Sequence, residues 1–345
     1  MTATLEFVAG KLTVPLSQPT GSREDPHLLY NKLFMNVKNG LVCIVINCYN
    51  GSLFVRQAVE SVLSQTYSNW EIVFWDNQST DDSASIVKSY KDPRIRYIQA
   101  KNHTTLGAAR RLAVKECDGE YISFLDTDDI YYPDNLERKI EFLERGEADV
   151  VYGGVVYIRK DGTEISRRLP RYKSGNLFES FLYQFDVEVA SMMIRSRALK
   201  EDDLNFDERI YGSEEYDLLL RLSVRRRFAI VNQSISKVRI RTLSLTNAVM
   251  EKWAMDRRLT LNKIIDCDPR LENQFKNAFE EAFARADYYE SRWLIYKGQI
   301  SDAEDVMKRV FLVNWRYFFL FAILKISPAL WIFFHKYFPS SRNKR

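Results

Sequence analysis

Cysteine and histidine are scarce in this chain, with four of the first and three of the second in 345 residues. Cys43, Cys48, Cys117 and Cys267 show no paired short spacing, which argues against a disulfide framework and fits reduced thiols inside a cell. His27 and His103 lie in no ligand-spaced cluster, so histidine-based metal binding is not expected. Charge excess is also missing. Lys+Arg 50 against Asp+Glu 46 leaves +4, spread without long blocks of one sign, and a nucleic-acid partner is not expected. The start, MTATLEFVAGKLTVPLSQPTGSREDP, has no basic stretch followed by an unbroken apolar core, so it reads as an extension over residues 1–40 rather than a secretory signal. Near the other end, NWRYFFLFAILKISPALWIFFHKYF lacks the continuity of a membrane span, because Lys325 splits it and Pro328 kinks any helix through it. That segment suits a peripheral membrane contact, ordinary packed helices, or a spanning helix or re-entrant hairpin, and the closing SSRNKR suits an anionic cytoplasmic leaflet.

What is present is enough apolar residue, 46%, to bury a sizeable core in one large domain or two ordinary ones. From residue 41 the apolar pattern alternates between strand and helix. LVCIVIN, EIVFWD, IRYIQ and YISFLD read as strands, separated by GSLFVRQAVESVLSQTY, STDDSASIVKSY and TLGAARRLAVKE as helices. This βαβαβαβ order predicts an α/β fold with a mostly parallel sheet and flanking helices, whose ligands sit beyond the carboxyl ends of the strands.

Polar residues collect at those ends: Asn47, Cys48, Tyr49 and Asn50 after the first strand, Asp76 to Asp81 after the second, and Asp126, Asp128 and Asp129 after the fourth. Single Asp, Asn or Ser residues there are also ordinary turn and capping residues. Three carboxylates at one tip exceed what a cap needs, and like charges so close call for a cation or for protonation. A divalent Mg²⁺ or Mn²⁺ completed by water and phosphate oxygens satisfies such a site. Tyr49 is either packing or a face on which a base stacks.

The stretches INCYNGSLFVRQAVESVLSQTYSNWEIVFWDNQSTDD and NHTTLGAARRLAVKECDGEYISFLDTDDIYYPDNLERKI, followed by SMMIRS, FDERIYGSEEYDLLLRLS and KVRIRTLSLT, resemble family 2 glycosyltransferases of the GT-A fold. The resemblance spans residues 41–246, with a nucleotide-sugar half at 41–130 and an acceptor half at 131–246. It implies a nucleotide-sugar donor held by Asn47, Tyr49, Asn50, Asp76, Ser79, Arg110, Asp126 and Arg241, and a Mn²⁺ or Mg²⁺ ion held by Asp128 with Asp126. It also implies Glu215 as general base, removing a proton from a saccharide or lipid-linked acceptor during inverting transfer. Glu214 and Asp217 equally suit a helix N-terminus. A UDP-sugar is the expected donor, cell-surface glycan synthesis at the inner face of the membrane the expected setting.

The sequence departs from the family pattern in four places. Asn47-Cys48 stands where Pro-Thr is usual, Arg111 where Asn is common, Glu215 where Asp is commoner, and Arg241 where a metal-contacting His often falls. Beyond residue 246 the pattern turns to amphipathic helices, a C-terminal helical appendage over 247–345. Two other readings are a catalytically inactive sugar-nucleotide scaffold of the same fold and a haloacid-dehalogenase-type phosphatase. The phosphatase reading requires its Asp-x-Asp on the first strand of the core, whereas here it ends the fourth.

Overall fold

A computed structural model describes residues 6–7, 10–11, 38–145, 148–240 and 250–337. The chain forms two compact units, residues 1–36 and 37–345. In the first, Glu6–Phe7 pairs antiparallel with Gly10–Lys11. All elements named below belong to the second.

The first four strands are β1 (Lys38–Cys48), β2 (Trp70–Asp76), β3 (Ile95–Gln99) and β4 (Gly119–Phe124). They lie in the order β3-β2-β1-β4 and are all parallel. Helices α1 (Val55–Leu63), α2 (Ser83–Ser89) and α3 (Leu106–Lys115) make the crossovers. Period-two alternation along β1 decides which core each side chain enters. Cys43 and Val45 join the core that includes Ala109 and Ala113 of α3, while Val42, Ile44 and Ile46 join that of Val55, Ala58 and Val59 of α1. Both faces of the sheet are therefore covered, as its unbroken apolar strands require.

Beyond β4 the sheet becomes mixed. After β5 (Ile130–Tyr131) and helix α4 (Asn135–Glu144) come β6 (Val150–Ile158), β7 (Glu164–Arg168), helix α5 (Phe178–Tyr183) and β8 (Met192–Arg195). Helices α6 (Ser196–Glu201) and α7 (Glu214–Ser223) precede the long strand β9 (Phe228–Arg239). β8 inserts antiparallel between β4 and β6, β9 runs parallel to β6, and β5 and β7 pair antiparallel with β9 and β6. The parallel order predicted from the alternation thus holds for the first half. In the second half a tight β6–β7 turn, with Gly162 at φ 90°, reverses the chain without a crossover helix.

Helices α8 (Trp253–Cys267), α9 (Arg270–Gln274), α10 (Lys276–Tyr296), α11 (Ile300–Val310), α12 (Trp315–Ile326) and α13 (Pro328–Tyr337) follow. Leu261 and Ile264 of α8 and Phe279 of α10 share a core with Leu218 and Leu222 of α7, so residues on both sides of position 246 pack as one body. Met307, Tyr317, Leu324 and Trp331 gather in a separate cluster among α10 to α13. Among the described residues no helix is long and apolar enough to cross a membrane.

Candidate active site

The tips of β1 and β2 are tied into one structure by polar side chains. Asn50 sits at φ 52° and Gln78 at φ 69°, left-handed conformations uncommon for residues with a side chain. The Asn50 N–H donates to Ser79 Oγ at 3.0 Å, and Asn50 Oδ1 accepts from the Thr80 N–H at 2.8 Å. Asp76 is fully buried, with Oδ1 accepting from the Ser79 N–H at 2.7 Å and Oδ2 from the Tyr97 hydroxyl at 2.5 Å. In this arrangement Asp76 and Ser79 brace the loop that presents Asn50. Asp81 accepts from the N–H groups of Ser52 (2.9 Å) and Ser83 (3.0 Å) and from the Ser83 hydroxyl. Burial opposes its ionisation, but those hydrogen bonds outweigh it and hold the carboxyl down at about 2.

Tyr49 is half exposed, its ring 4.3 Å from that of His103, whose Nδ1 lies 2.9 Å from the Asn77 carbonyl oxygen. The sequence gives His103 no ligand-spaced cluster, and the structure places its ring beside the residue expected to meet the base. No local signal reveals this, because the two rings are brought together only when the β1 and β3 tips converge. Asn47 is nearly buried, and its amide nitrogen has no acceptor among the described residues, an orphan donor of the kind a bound ligand satisfies.

The acidic run lies just past β4, which ends at Phe124, two residues short of the expected strand. It belongs to the fourth strand in chain order, not the first, so the phosphatase context is absent. Gly51 lets the β1 tip pack against this loop, since a Cβ there would lie 2.8 Å from Thr127 Oγ1. The three carboxylates separate in character. Asp126 and Asp128 are half-buried, whereas Asp129 is buried and accepts from the Arg239 N–H at 2.9 Å. Burial, then the charges of Asp128 and Asp126, push the Asp129 carboxyl well up, so negative potential concentrates at the loop. Arg110 on α3 is buried, and its guanidinium meets Asp126 Oδ1 at 2.8 Å.

The metal expectation can be tested against these groups. The donors are hard oxygens crowded by like charge, as Mg²⁺ or Mn²⁺ prefers. No cluster of three or more His, Cys, Asp or Glu that could form a cage exists among the described residues. Asp126 and Asp128 therefore fit an ion that takes its other ligands from water and a diphosphate, and do not fit a self-sufficient protein cage.

Arg239, at the end of β9, is the residue that sequence reasoning missed. Its Nε donates to the Asp128 carbonyl at 2.9 Å, and one terminal nitrogen donates to the carbonyls of Arg159 (3.0 Å) and Lys160 (2.8 Å). The other donates to Gln57 Oε1 at 2.8 Å, and the plane lies 4.2 Å from the Phe54 ring centre. One guanidinium thus ties the acidic loop to α1 and to the β6–β7 turn. The KVRIRTLSLT stretch drew attention to Arg241, which lies outside the described residues.

Helix α7 opens with Glu214, Glu215 and Asp217. Asp217 is fully buried and bound by Arg221 at 2.6 Å and by the Thr260 hydroxyl at 2.9 Å, so its role is to fasten α7 to α8. Glu215 is half-buried, and Glu214 is buried with Oε1 lacking a partner among the described residues. The Arg110 guanidinium lies within electrostatic range of Asp126, Glu214 and Glu215, and the three together raise its pKa against the opposing effect of burial. The strand-tip loop and the start of α7 therefore border one cation.

Burial, and then the Glu215 charge, push the Glu214 carboxyl up to about 7, with Arg110 opposing. A carboxyl raised in the folded state binds its proton more tightly there than in the unfolded chain. Its presence then lowers stability progressively from its ordinary pKa of 4.5 to about 7, and fully above that. Glu214→Gln removes this term, so the denaturant midpoint of the unsubstituted protein should gain on that of the variant as pH falls from 8 to 5 (roughly one pKa shift's worth per unit). Parallel midpoints across that range would contradict the assignment.

Known proteins resemble this chain in sequence and in fold. A family model described as glycosyl transferase family 2 matches residues 43–202. An uncharacterized glycosyltransferase of Methanocaldococcus jannaschii is 30% identical over 207 residues, covering 58% of this chain and 71% of that protein. One of Rickettsia bellii is 30% identical over 220 residues, 63% of this chain but only 31% of that longer protein, so this chain spans about a third of it. The Escherichia coli protein WfaP, a UDP-Glc:alpha-D-GlcNAc-diphosphoundecaprenol beta-1,3-glucosyltransferase, is 42% identical over 123 residues, 35% of this chain and 48% of its own. Among solved structures, Staphylococcus aureus TarS 1–349 in complex with UDP-GlcNAc superposes with a TM-score of 0.63 at 17% identity, covering 83% of this chain and 87% of that one. The mixed sheet with its flanking helices is the GT-A architecture, shared with TarS. The chain belongs to glycosyltransferase family 2.

Proposed function

We propose that this chain catalyses metal-dependent, inverting transfer of a sugar from a UDP-sugar to a saccharide or lipid-linked acceptor. The observation that carries the reading is the shared border of two acidic elements. The Asp126–Asp128 loop and the Glu214–Glu215 helix start meet at Arg110, which gives a donor side and an acceptor side to one site. Two similar proteins support the substrate class: TarS was crystallised with UDP-GlcNAc, and WfaP is named for UDP-Glc and a diphosphoundecaprenol-linked sugar.

In this reading the adjoining Tyr49 and His103 rings form one wall against the base, and the Asn47 amide meets a polar group of the nucleotide. Asp76, fully buried with both oxygens engaged, and Ser79 hold the loop that presents Asn50 to the nucleotide. Arg110 acts through Asp126, aiming its carboxylate through their ion pair. A Mg²⁺ or Mn²⁺ ion held by Asp126 and Asp128 would neutralise charge on the departing diphosphate. Glu215 takes the proton of the acceptor hydroxyl as that oxygen attacks the anomeric carbon from the face opposite the diphosphate. Arg241 supplies a guanidinium to the diphosphate, as its planar fork suits phosphate oxygens. The test is transfer from UDP-glucose and UDP-GlcNAc to a diphosphate-lipid-linked amino sugar, followed by the anomeric configuration of the product. Transfer that persists in excess EDTA, or that retains configuration, contradicts the proposed mechanism.

The C-terminal hairpin supports a further part of the proposal, peripheral contact with an anionic bilayer at the inner membrane face. Trp315, Phe318, Phe319 and Ile326 form an exposed stripe along α12, while Tyr317, Ile323 and Leu324 pack inward. Eight Lys or Arg residues and no Asp or Glu follow Asp305, a charge balance that complements anionic lipid. At about 18 Å the helix is too short to span a hydrocarbon core of roughly 30 Å, and long enough to lie along its surface. Binding to phosphatidylglycerol-containing vesicles is expected to fall by roughly tenfold or more when Trp315, Phe318 and Phe319 are all changed to serine. Equal sedimentation of both proteins with vesicles, or apolar-stripe-dependent dimers instead of vesicle binding, would contradict it.

A further inference from the structure

Helix α8 lies beyond the family-matched residues 43–202, yet it grips the segment that delivers the expected base. Asp256 on α8 is fully buried, and its Oδ2 accepts from the N–H groups of Tyr211 (3.1 Å) and Gly212 (2.9 Å). Its Oδ1 is buried without a partner among the described residues. One turn later the Thr260 hydroxyl donates to Asp217 Oδ1 at 2.9 Å, and Lys263 bridges Asp207 Oδ2, at 2.8 Å, to Asp217. From the opposite side α3 presses on the same segment. A Cβ on Gly107 would lie 2.9 Å from the Asp207 carbonyl oxygen and 3.2 Å from that of Ile210. Residues 207–213 are therefore held between two helices, and Glu214 and Glu215 follow at once.

One carboxylate oxygen of Asp256 receives two consecutive backbone N–H groups, and an apolar residue at 256 would leave both without that acceptor. What Asp256 supplies that an apolar residue lacks is one acceptor placed to fix two consecutive backbone N–H groups. Those groups are the last rigid point before the start of α7.

We propose that Asp256 is a positioning residue for sugar transfer: it fixes the Tyr211–Gly212 turn and thereby the reach of Glu215 toward the acceptor hydroxyl. This rests on the reading of Glu215 as base. Small displacements of a catalytic group lower the chemical step strongly while leaving donor binding intact. The proposal therefore separates kcat from nucleotide affinity, and acceptor geometry from charge.

The experiment compares Asp256→Asn, Asp256→Ala and Asp256→Leu in the full chain. Asparagine keeps a carbonyl oxygen where the two N–H groups point; leucine has similar bulk without an acceptor, and serves where the alanine variant fails to fold. Asp256→Leu and Asp256→Ala are expected to lower kcat for transfer from the UDP-sugar by about tenfold or more, with UDP affinity by calorimetry unchanged within about twofold. Asp256→Asn is expected to stay within about threefold of the unsubstituted protein. Amide exchange of Tyr211 to Asp217 should accelerate in the leucine variant while β1 and the 126–129 loop keep their protection. Unchanged kcat in the leucine variant overturns the proposal, as does a kcat loss matched by weaker UDP binding and global loss of protection. If the unsubstituted protein transfers no sugar, the reading of Glu215 fails instead, and exchange still judges the clamp: unaltered rates at 211–217 overturn it.

Discussion

Glu215→Gln is expected to lower the rate of sugar transfer by a factor on the order of 10² to 10⁴ while leaving the affinity for UDP unchanged. The substitution keeps the size of the side chain and removes only its ability to take a proton. Glu215 stands at the N-terminus of α7, half-buried and within the field of Arg110, in a place an acceptor can reach. Glu214 and Asp217, which share the same turn, do not meet both conditions. Glu214 is buried with its proton affinity raised, and Asp217 is consumed by Arg221 and Thr260. Single-turnover rates with a saturating UDP-sugar, compared with calorimetric UDP binding, separate chemistry from binding. A Glu215→Gln protein that transfers at the original rate removes Glu215 from the mechanism.

Arg239→Ala should bring the largest loss of stability of any single change near the site, about 3–5 kcal/mol, the range for breaking a buried charged network. The side chain donates to Gln57 and to the carbonyls of Asp128, Arg159 and Lys160, all of which lose a partner together. Cation–π contact with Phe54 goes as well. Arg239→Lys keeps the charge but not the planar fork, so it should recover only part of the loss. Urea unfolding gives the stability, and metal-dependent UDP binding gives the state of the acidic loop. A midpoint shift worth less than about 1 kcal/mol would mean that the network contributes little to the fold.

Much of this site could be read before the fold was known, and the limit has a physical origin. The parallel strands were legible because β1, β2 and β4 are buried on both faces and show unbroken apolar runs. The acidic tip was legible because Asp126, Asp128 and Asp129 are adjacent in sequence and their mutual repulsion needs no structure to recognise. Their separation into half-buried and buried carboxylates was not legible, because it depends on Arg239, 110 residues further along. Asp256 reaches Tyr211 across 45 residues, and no spacing rule anticipates a helix beyond the expected boundary fastening the turn before α7. The antiparallel half of the sheet was equally hidden, because β8 enters through irregular chain and pairs with strands distant in sequence. The aromatic C-terminal run was visible as such, and the structure adds which of its faces is bare.

The central claim is that Asp126 and Asp128 make a metal-assisted nucleotide-sugar site at the strand tips. Calorimetric titration with UDP, dTDP, GDP and CMP, each with and without Mn²⁺, tests it most directly. Binding of UDP that is lost on omitting Mn²⁺ and lost again in Asp128→Ala is the result the account predicts. Failure of every nucleotide to bind under any condition, or UDP binding indifferent to both Mn²⁺ and Asp128, would contradict it.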